Sequence, residues 1–287
     1  MTKHKNLIIT CADENIADFL QNQWYKSLVA NVDLSNIDVV VIDYGLPQNT
    51  CANLKSQGVI LYKCKKTGFP GSIRFRDSLK FLKDKKYDQR LCCDGGDIIF
   101  QSNITPLFEE NTKFVRAVVE VQAIRLDHFV SKTNFKEELY EKIIKVTRSN
   151  PNVNVGVFLA PQNLFIKICT RYLSMLVKFK VFGLETVIFN YLVWTELPFK
   201  TIDRIYNYIP SNYGKICSVK NGIIYTAEKE KIAIVHNAGR WDSNRTLQDF
   251  GFGTDKNKIS KFVFYRLRFI FICADVYSRI MQKINSA

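Results

Sequence analysis

Two carboxylates flank a pair of glycines in Asp94-Gly95-Gly96-Asp97, directly after the apolar run Leu91-Cys92-Cys93. Glycines let the backbone turn sharply and approach a ligand closely. Two carboxylates so placed could hold a hard divalent ion such as Mg²⁺ or Mn²⁺, which would in turn bridge phosphates. The same four residues alone also read as an ordinary Asp-Gly turn in solvent. A second cluster, His236-Asn237-Ala238-Gly239-Arg240-Trp241, follows Ile232-Ala233-Ile234-Val235 and holds one of only three histidines. By residue type, His236 is either a hydrogen-bonded structural histidine or a ligand. A third, Ala12-Asp13-Glu14-Asn15, follows Leu7 to Cys11.

All three clusters sit at the carboxyl ends of apolar runs, where open α/β sheets bind their ligands. The periodicity predicts strands at Leu7–Cys11, Asp38–Asp43, Val59–Tyr62 and Arg90–Cys93. Helices are predicted at Ile16–Ala30 and Ser72–Lys83, with a weak helix before Val59. This alternation argues for a single α/β domain with a mostly parallel central sheet flanked by helices. Further along, Lys113–Val121 and Val153–Leu159 read as strands, and Leu164–Lys180 and Thr186–Trp194 as helices. Ile223–Thr226 and Lys231–Val235 resemble a hairpin. There is no repeat or long linker. The composition changes only near Gly253, and Lys256–Ala287 carries seven Lys or Arg and no Pro or Gly. The expected division is residues 1–255 as the main domain and 256–287 as a basic, aromatic, amphipathic helical tail.

With 287 residues, 47% hydrophobic and 24% charged, the chain belongs with globular proteins rather than disordered ones. No run approaches the length of a spanning helix, and the N-terminus carries no signal-peptide core. The eight cysteines form no Cys-x-x-Cys pair, so no zinc or disulfide framework is legible. Cys92 and Cys93, adjacent on a strand, should point to opposite faces as small buried hydrophobes. The expected location is a reducing cytoplasm. The formal charge of +14 favours anionic partners without choosing among them.

Asp94 to Glu109 resembles the Asp-x-Asp region of glycosyltransferase family 8, a group of retaining enzymes with the GT-A (Rossmann-like) fold. Its members include glycogenin and the bacterial lipopolysaccharide galactosyl- and glucosyltransferases. Other family motifs recur in order. Ala12-Asp13-Glu14-Asn15 is similar to the nucleotide-binding Ala-x-Asp-x-x-Tyr loop. Asn154-Val155-Gly156-Val157 is similar to Asn-Ser/Ala-Gly-Val. Glu185-Thr186 through Asn190 stands where the family has Asp-Gln-x-x-x-Asn, and His236 to Gly239 matches His-x-x-Gly. The resemblance covers roughly residues 6 to 245, and the order of the motifs carries it. The departures are a stretched Asp-x-Asp, Thr186 in place of Gln, and Arg240-Trp241 in place of Lys-Pro-Trp.

The resemblance implies a metal-dependent hexosyltransferase using a nucleotide sugar, by family a UDP-sugar, with retention of anomeric configuration. It implies Asp94, Asp97 and His236 as ligands of Mn²⁺ or Mg²⁺. It implies donor contacts from Ala12, Asp13, Asn15, Asn154, Gly156 and Gly239, with Arg240 as a second cation at the phosphates. A family arginine on the helix before the metal motif contacts the donor, and Arg74 and Arg76 both qualify. Glu185 and Thr186 fall at the catalytic positions. Thr186 is a weak nucleophile without a base, so front-face attack is favoured, in which the leaving phosphate takes the acceptor's proton. The acceptor is a glycan or glycolipid; no nucleic acid is expected. Several bacterial members end in a basic, aromatic tail, which implies peripheral contact with anionic membrane on its cytoplasmic face; the same amphipathicity also suits a helix docked on the domain.

Two rival readings remain. A sugar-nucleotide-forming nucleotidyltransferase usually needs a Gly-rich basic loop after the first strand, and Cys11-Ala12-Asp13-Glu14 is acidic without glycine. A non-enzymatic basic module binding membrane or nucleic acid explains the charge but not the polar clusters at strand ends. The aromatic residues Phe158, Phe165, Tyr172, Tyr191 and Trp194 suit either an acceptor site or, at helical spacing, the core.

Overall fold

The computed structural model describes residues 5–121, 126, 135, 137–176, 182–239, 242–253 and 257–286, at 137, 242, 275, 278, 279 and 281–286 by the backbone alone. Arg240 and Trp241, and the division placed between residues 255 and 256, lie outside the described residues.

A seven-stranded sheet forms the centre. Its strands are β1 (Asn6–Ala12), β2 (Ile37–Asp43), β3 (Ile60–Lys63), β4 (Gln89–Cys93), β6 (Val115–Val119), β7 (Val153–Pro161) and β8 (Phe199–Thr201), in the order β3-β2-β1-β4-β7-β6-β8. Neighbours pair in parallel except at β7, which runs against both β4 and β6. The sheet is therefore mixed but mostly parallel, as the alternation of elements implied.

The strands are covered on both faces, which is why they read as continuous apolar runs. Leu7, Ile9 and Cys11 of β1 join Val40 and Ile42 of β2 in one cluster; Ile8 and Ala12 join Val39 and Val41 in another. Cys92 belongs to the first cluster and Cys93 to the second, so the two thiols do point to opposite faces. The first face is covered by α4 (Pro70–Phe81), α5 (Glu137–Ser149), α6 (Gln162–Met175) and α7 (Leu184–Thr195). The second carries α1 (Ala17–Phe19), α2 (Lys26–Asn31) and α3 (Gln48–Ser56). Phe158, Phe165 and Tyr172 are buried in the first cluster, with Tyr191 and Trp194 packed against it. These aromatic residues are core. Each fully buried Leu or Phe contributes about 2 kcal/mol in transfer alone, so truncating one to Ala loosens the sheet–helix contact.

Three local differences from the sequence pattern have physical causes. The expected helix from Ile16 to Ala30 is broken, with a π-helical stretch at Leu20–Tyr25 between α1 and α2. The extra residue per turn there accompanies the complete burial of Leu20 and Trp24. The expected late hairpin is divided: β10 (Ile223–Tyr225) pairs with β9 (Ser218–Lys220), while β11 (Ile234–His236) pairs with β5 (Ile98–Phe100). Between the two segments Tyr225 and Lys231 form an isolated antiparallel bridge, flanked by the Thr226 N–H on the Glu230 carbonyl at 2.8 Å and the Ile232 N–H on the Ile224 carbonyl at 3.3 Å. Helix α5 falls where no element is expected, because charged residues interrupt its apolar positions.

Near the end, β12 (Leu247–Gln248) and β13 (Lys258–Ile259) form a short ribbon before α8 (Lys261–Ser286). Val263, Phe264 and Leu267 of α8 are buried, whereas Phe262, Tyr265, Phe269, Ile270, Ile272, Val276, Tyr277 and Ile280 are exposed. Arg266 donates to Asn244 Oδ1 at 2.9 Å and Arg268 to the Tyr213 carbonyl at 3.1 Å, so the start of α8 is docked on the domain. Among the described residues, no helix is long and apolar enough to cross a membrane.

Candidate metal centre

The site begins at the end of β4, the central strand. Asp94 follows Cys93, and its backbone N–H donates to the Gly156 carbonyl of β7 at 2.9 Å. Gly95 and Gly96 have packing reasons for carrying no side chain. A Cβ at Gly95 would stand 2.8 Å from Thr10 Oγ1, and one at Gly96 3.0 Å from Ile16 Cγ2. The turn thus lies against the end of β1 and the Ala12–Ile16 loop, bringing two of the sequence clusters together.

The third cluster arrives through the β5–β11 ribbon. Antiparallel pairing sets His236 opposite Ile98, and the Asn237 N–H donates to the Asp97 carbonyl at 2.8 Å. His236 Nε2 then lies 3.7 Å from Asp94 Oδ2 and 3.5 Å from Asp97 Oδ1. Ligand atoms of Asp94, Asp97 and His236 all fall within 4.8 Å of one another. Asp97 Oδ1 is buried without a hydrogen-bond partner. Leaving a buried carboxylate oxygen unsatisfied is costly, and a cation between the three side chains would satisfy it. Two hard carboxylate oxygens with one imidazole suit Mn²⁺ or Mg²⁺. The residues fit the ion.

The charges around the trio are graded. Burial alone would raise the Asp97 carboxyl, but His236, then Arg245 and Arg74, outweigh it and hold the group below its ordinary value. Burial lowers the imidazole, and Asp97, Asp94 and Glu120 together reverse this, so His236 titrates above its ordinary value. Arg245 Nη2 stands 3.9 Å from Asp97 Oδ2, a contact the motifs do not reveal.

The structure separates Arg74 from Arg76. Arg74, one face of α4 buried beneath it, donates to Asp94 Oδ1 and, at 3.3 Å, to the Val155 carbonyl. Arg76 points elsewhere, gripping Asp77 with two donors at 2.9 and 2.6 Å and Thr67 at 2.7 Å. It lines a separate cavity of about 300 Å³ with Lys63, Lys65 and Lys80.

The remaining expected site residues are placed as follows. Ala12 ends β1 and is buried. Asp13 accepts from the Asn15 backbone at 3.0 Å and from Lys66 Nζ at 2.6 Å, while the Asn15 amide reaches Asp13 Oδ2 at 3.3 Å. Glu185, in the first turn of α7, is buried, accepts from Ser72 Oγ at 3.2 Å, and is pushed up by burial. Thr186 beside it is half-buried. Asn190 is structural: it accepts from the Val153 N–H at 2.7 Å and donates to the Val153 carbonyl at 2.8 Å, tying α7 to β7. Gly239 is crowded by Arg245 and Asn244.

Gly156 faces the trio itself. A Cβ there would stand 2.4 Å from His236 Cε1, 2.8 Å from Asn154 Oδ1 and 2.9 Å from Asp94 Oδ2. Beneath it runs a buried polar chain. His236 Nδ1 is 2.9 Å from Asn207 Oδ1, and Asn207 Nδ2 donates to Asn154 Oδ1 at 2.9 Å. Asn154 Nδ2 donates to Glu120 Oε1 at 2.8 Å, which also accepts from Asn212 at 2.9 Å. Burial pushes Glu120 up despite these donors. Of Asn207, Asn154, Glu120 and Asn212, only Asn154 belongs to a sequence motif.

No protein-family model matches the sequence, nor does any curated protein. Solved structures match across nearly the whole chain. The galactosyltransferase LgtC in complex with donor and acceptor sugar analogs is similar with a TM-score of 0.57 at 16% identity, over 91% of this chain and 94% of that one. The WbbM bifunctional glycosyltransferase gives 0.56 at 16%, over 93% of this chain and 50% of its own. The glycosyltransferase GlyE of Streptococcus pneumoniae gives 0.51 at 15%, over 92% and 60%. The chain therefore has the GT-A-like α/β fold that the resemblance implied.

Proposed function

We propose that this protein is a metal-dependent glycosyltransferase that moves a hexose from a nucleotide sugar, by family resemblance a UDP-sugar, to a glycan or glycolipid with retention of configuration. The observation that carries this reading is the convergence of Asp94, Asp97 and His236 at the carboxyl end of the central strand, in a fold shared with LgtC and other glycosyltransferases.

In this reading Asp94, Asp97 and His236 hold Mn²⁺ or Mg²⁺, which would neutralise the diphosphate as the glycosidic bond breaks. Arg74 fixes the Asp94 carboxylate. Asp13 and Asn15, at the end of β1, receive the nucleoside, with Lys66 paired to Asp13. Asn154, Gly156, Gly239 and Arg240 complete the donor contacts. Glu185, which burial keeps closer to its protonated form, hydrogen-bonds sugar hydroxyls or the acceptor rather than attacking. Thr186 is a weak nucleophile without a base, which favours front-face attack with the leaving phosphate taking the acceptor's proton.

The exposed aromatic face of α8 supports peripheral contact with an anionic membrane on its cytoplasmic side, where a lipid-linked acceptor would lie. Incubation with a panel of nucleotide sugars and Mn²⁺ tests the central claim. Release of nucleoside diphosphate that depends on acceptor and metal supports it. Turnover unchanged by chelator, or release of pyrophosphate from nucleoside triphosphates, refutes it.

A further inference from the structure

We propose that Asn207 is a positioning residue that selects the tautomer of His236, leaving Nε2 as the nitrogen offered to the metal. This rests on the trio being a metal site, and the tautomer can be measured apart from any metal.

The argument starts from a donor whose direction is not adjustable. The backbone N–H of Gly156 can only donate, and it points at Asn154 Oδ1 from 2.8 Å. That oxygen is therefore the amide's acceptor end, which turns Asn154 Nδ2 toward Glu120 Oε1 at 2.8 Å. Asn207 must then present its own NH₂ group to Asn154 Oδ1, at 2.9 Å. Its carbonyl oxygen is left facing His236 Nδ1 at 2.9 Å. An acceptor there requires a proton on Nδ1. In the neutral ring Nε2 then carries a lone pair, aimed between Asp94 Oδ2 at 3.7 Å and Asp97 Oδ1 at 3.5 Å.

One backbone N–H thus sets the polarity of the whole chain, from β7 through two amides to the imidazole. Every member is buried or half-buried; Asn207 and His236 are 2% and 3% exposed, so water does not compete for these bonds. Partners on the far nitrogen of a ligating histidine fix ring orientation and tautomer, and losing them typically lowers metal affinity by about 10–100-fold. An Asn is a neutral choice: it fixes the tautomer without drawing the Nδ1 proton away as a carboxylate would.

Two measurements on the full chain test this. Long-range ¹H–¹⁵N spectra of the metal-free protein at pH 9 report the tautomer of each neutral histidine. With only three histidines in the chain, the His236 signal is identified by its loss in His236→Ala. The Nδ1–H form is expected in the native protein, and its replacement by an Nε2–H form or a mixture in Asn207→Ala. Mn²⁺ titration followed by electron paramagnetic resonance should show Asn207→Ala weakened about tenfold. A native Nε2–H tautomer overturns the proposal. So does an Asn207→Ala protein with native tautomer and native Mn²⁺ affinity. Failure of the native protein to bind Mn²⁺ while showing the Nδ1–H form would instead count against the metal reading and leave the tautomer assignment supported.

Discussion

Gly156 and His236 are packed so closely that a single methyl on Gly156 would lie 2.4 Å from His236 Cε1. The Gly156 carbonyl accepts from the Asp94 N–H at 2.9 Å and its own N–H donates to Asn154 Oδ1 at 2.8 Å, so the backbone there resists moving. The imidazole must move, and with it Nε2. Gly156→Ala should therefore lower Mn²⁺ affinity at least about tenfold while costing about 1–3 kcal/mol of stability, the usual range for overpacking. Mn²⁺ titration and thermal unfolding of the same sample check both halves.

Asp97→Asn is expected to abolish transfer with the fold retained. The substitution keeps the shape but removes the charge from a buried oxygen that has no hydrogen-bond partner of its own. A variant that unfolds at the native temperature yet turns over at less than about a hundredth of the native rate fits a ligand worth two or more factors of ten. Undiminished turnover would remove Asp97 from the site.

Arg74 and Arg76 should behave as opposites. Arg74→Ala removes the charged partner of Asp94 and leaves the carboxylate to drift, costing about 2 kcal/mol and most of the activity. Arg76→Ala breaks a pair with Asp77, at a site away from the trio, and should leave kcat and KM for the donor within about twofold. Steady-state kinetics on the two variants separates them.

The raised titration of His236 has a definite sign. In the metal-free protein its stabilising protonation is fully present below the ordinary value near 6.5 and is lost as pH rises through the folded value. Ligation needs the unprotonated ring, so proton and metal compete, and apparent Mn²⁺ affinity should fall about tenfold per pH unit below the folded value. The rise in unfolding temperature on adding Mn²⁺ should widen from pH 6 to pH 8. In His236→Ala the widening should vanish.

For the membrane, the docked start of α8 decides where to cut. Removing everything after Gly253 would strip Val263, Phe264 and Leu267 from the core. A chain ending at Phe271 keeps them and loses Ile272, Val276, Tyr277 and Ile280. Full-length protein should sediment with anionic liposomes in a salt-sensitive manner, and the shortened form should remain mostly in the supernatant. Equal behaviour of the two forms would exclude the part of α8 beyond Phe271 as the contact.

The parallel half of the sheet is legible from sequence because strands buried on both faces read as unbroken apolar runs, as in Leu7–Cys11 and Val39–Ile42. The partner of β11 is not, since strands of three residues carry no usable alternation. Helix α5 left a signal in Leu139 and Ile143, four apart on one face, but the surrounding charges obscure it. In the site, the two aspartates and the histidine emerge because each sits in a motif of fixed order. Glu120, Asn207 and Asn212 do not, because residues of these types are ordinarily exposed, and nothing local marks the ones that fold inward. Arg74 could be told from Arg76 only by its neighbours in space.

The β5–β11 ribbon also imposes an order in time. Asp94 and Asp97 leave the ribosome while most of the chain is still to be made, and β11 follows far later. Contacts between such distant segments form only after the intervening loops have closed. Until Ile234 zips onto Phe100, the carboxylate pair stands without its imidazole, beside an end of β4 that the rest of the sheet can already hold. Nascent and truncated chains therefore carry the first half of the centre but never the whole.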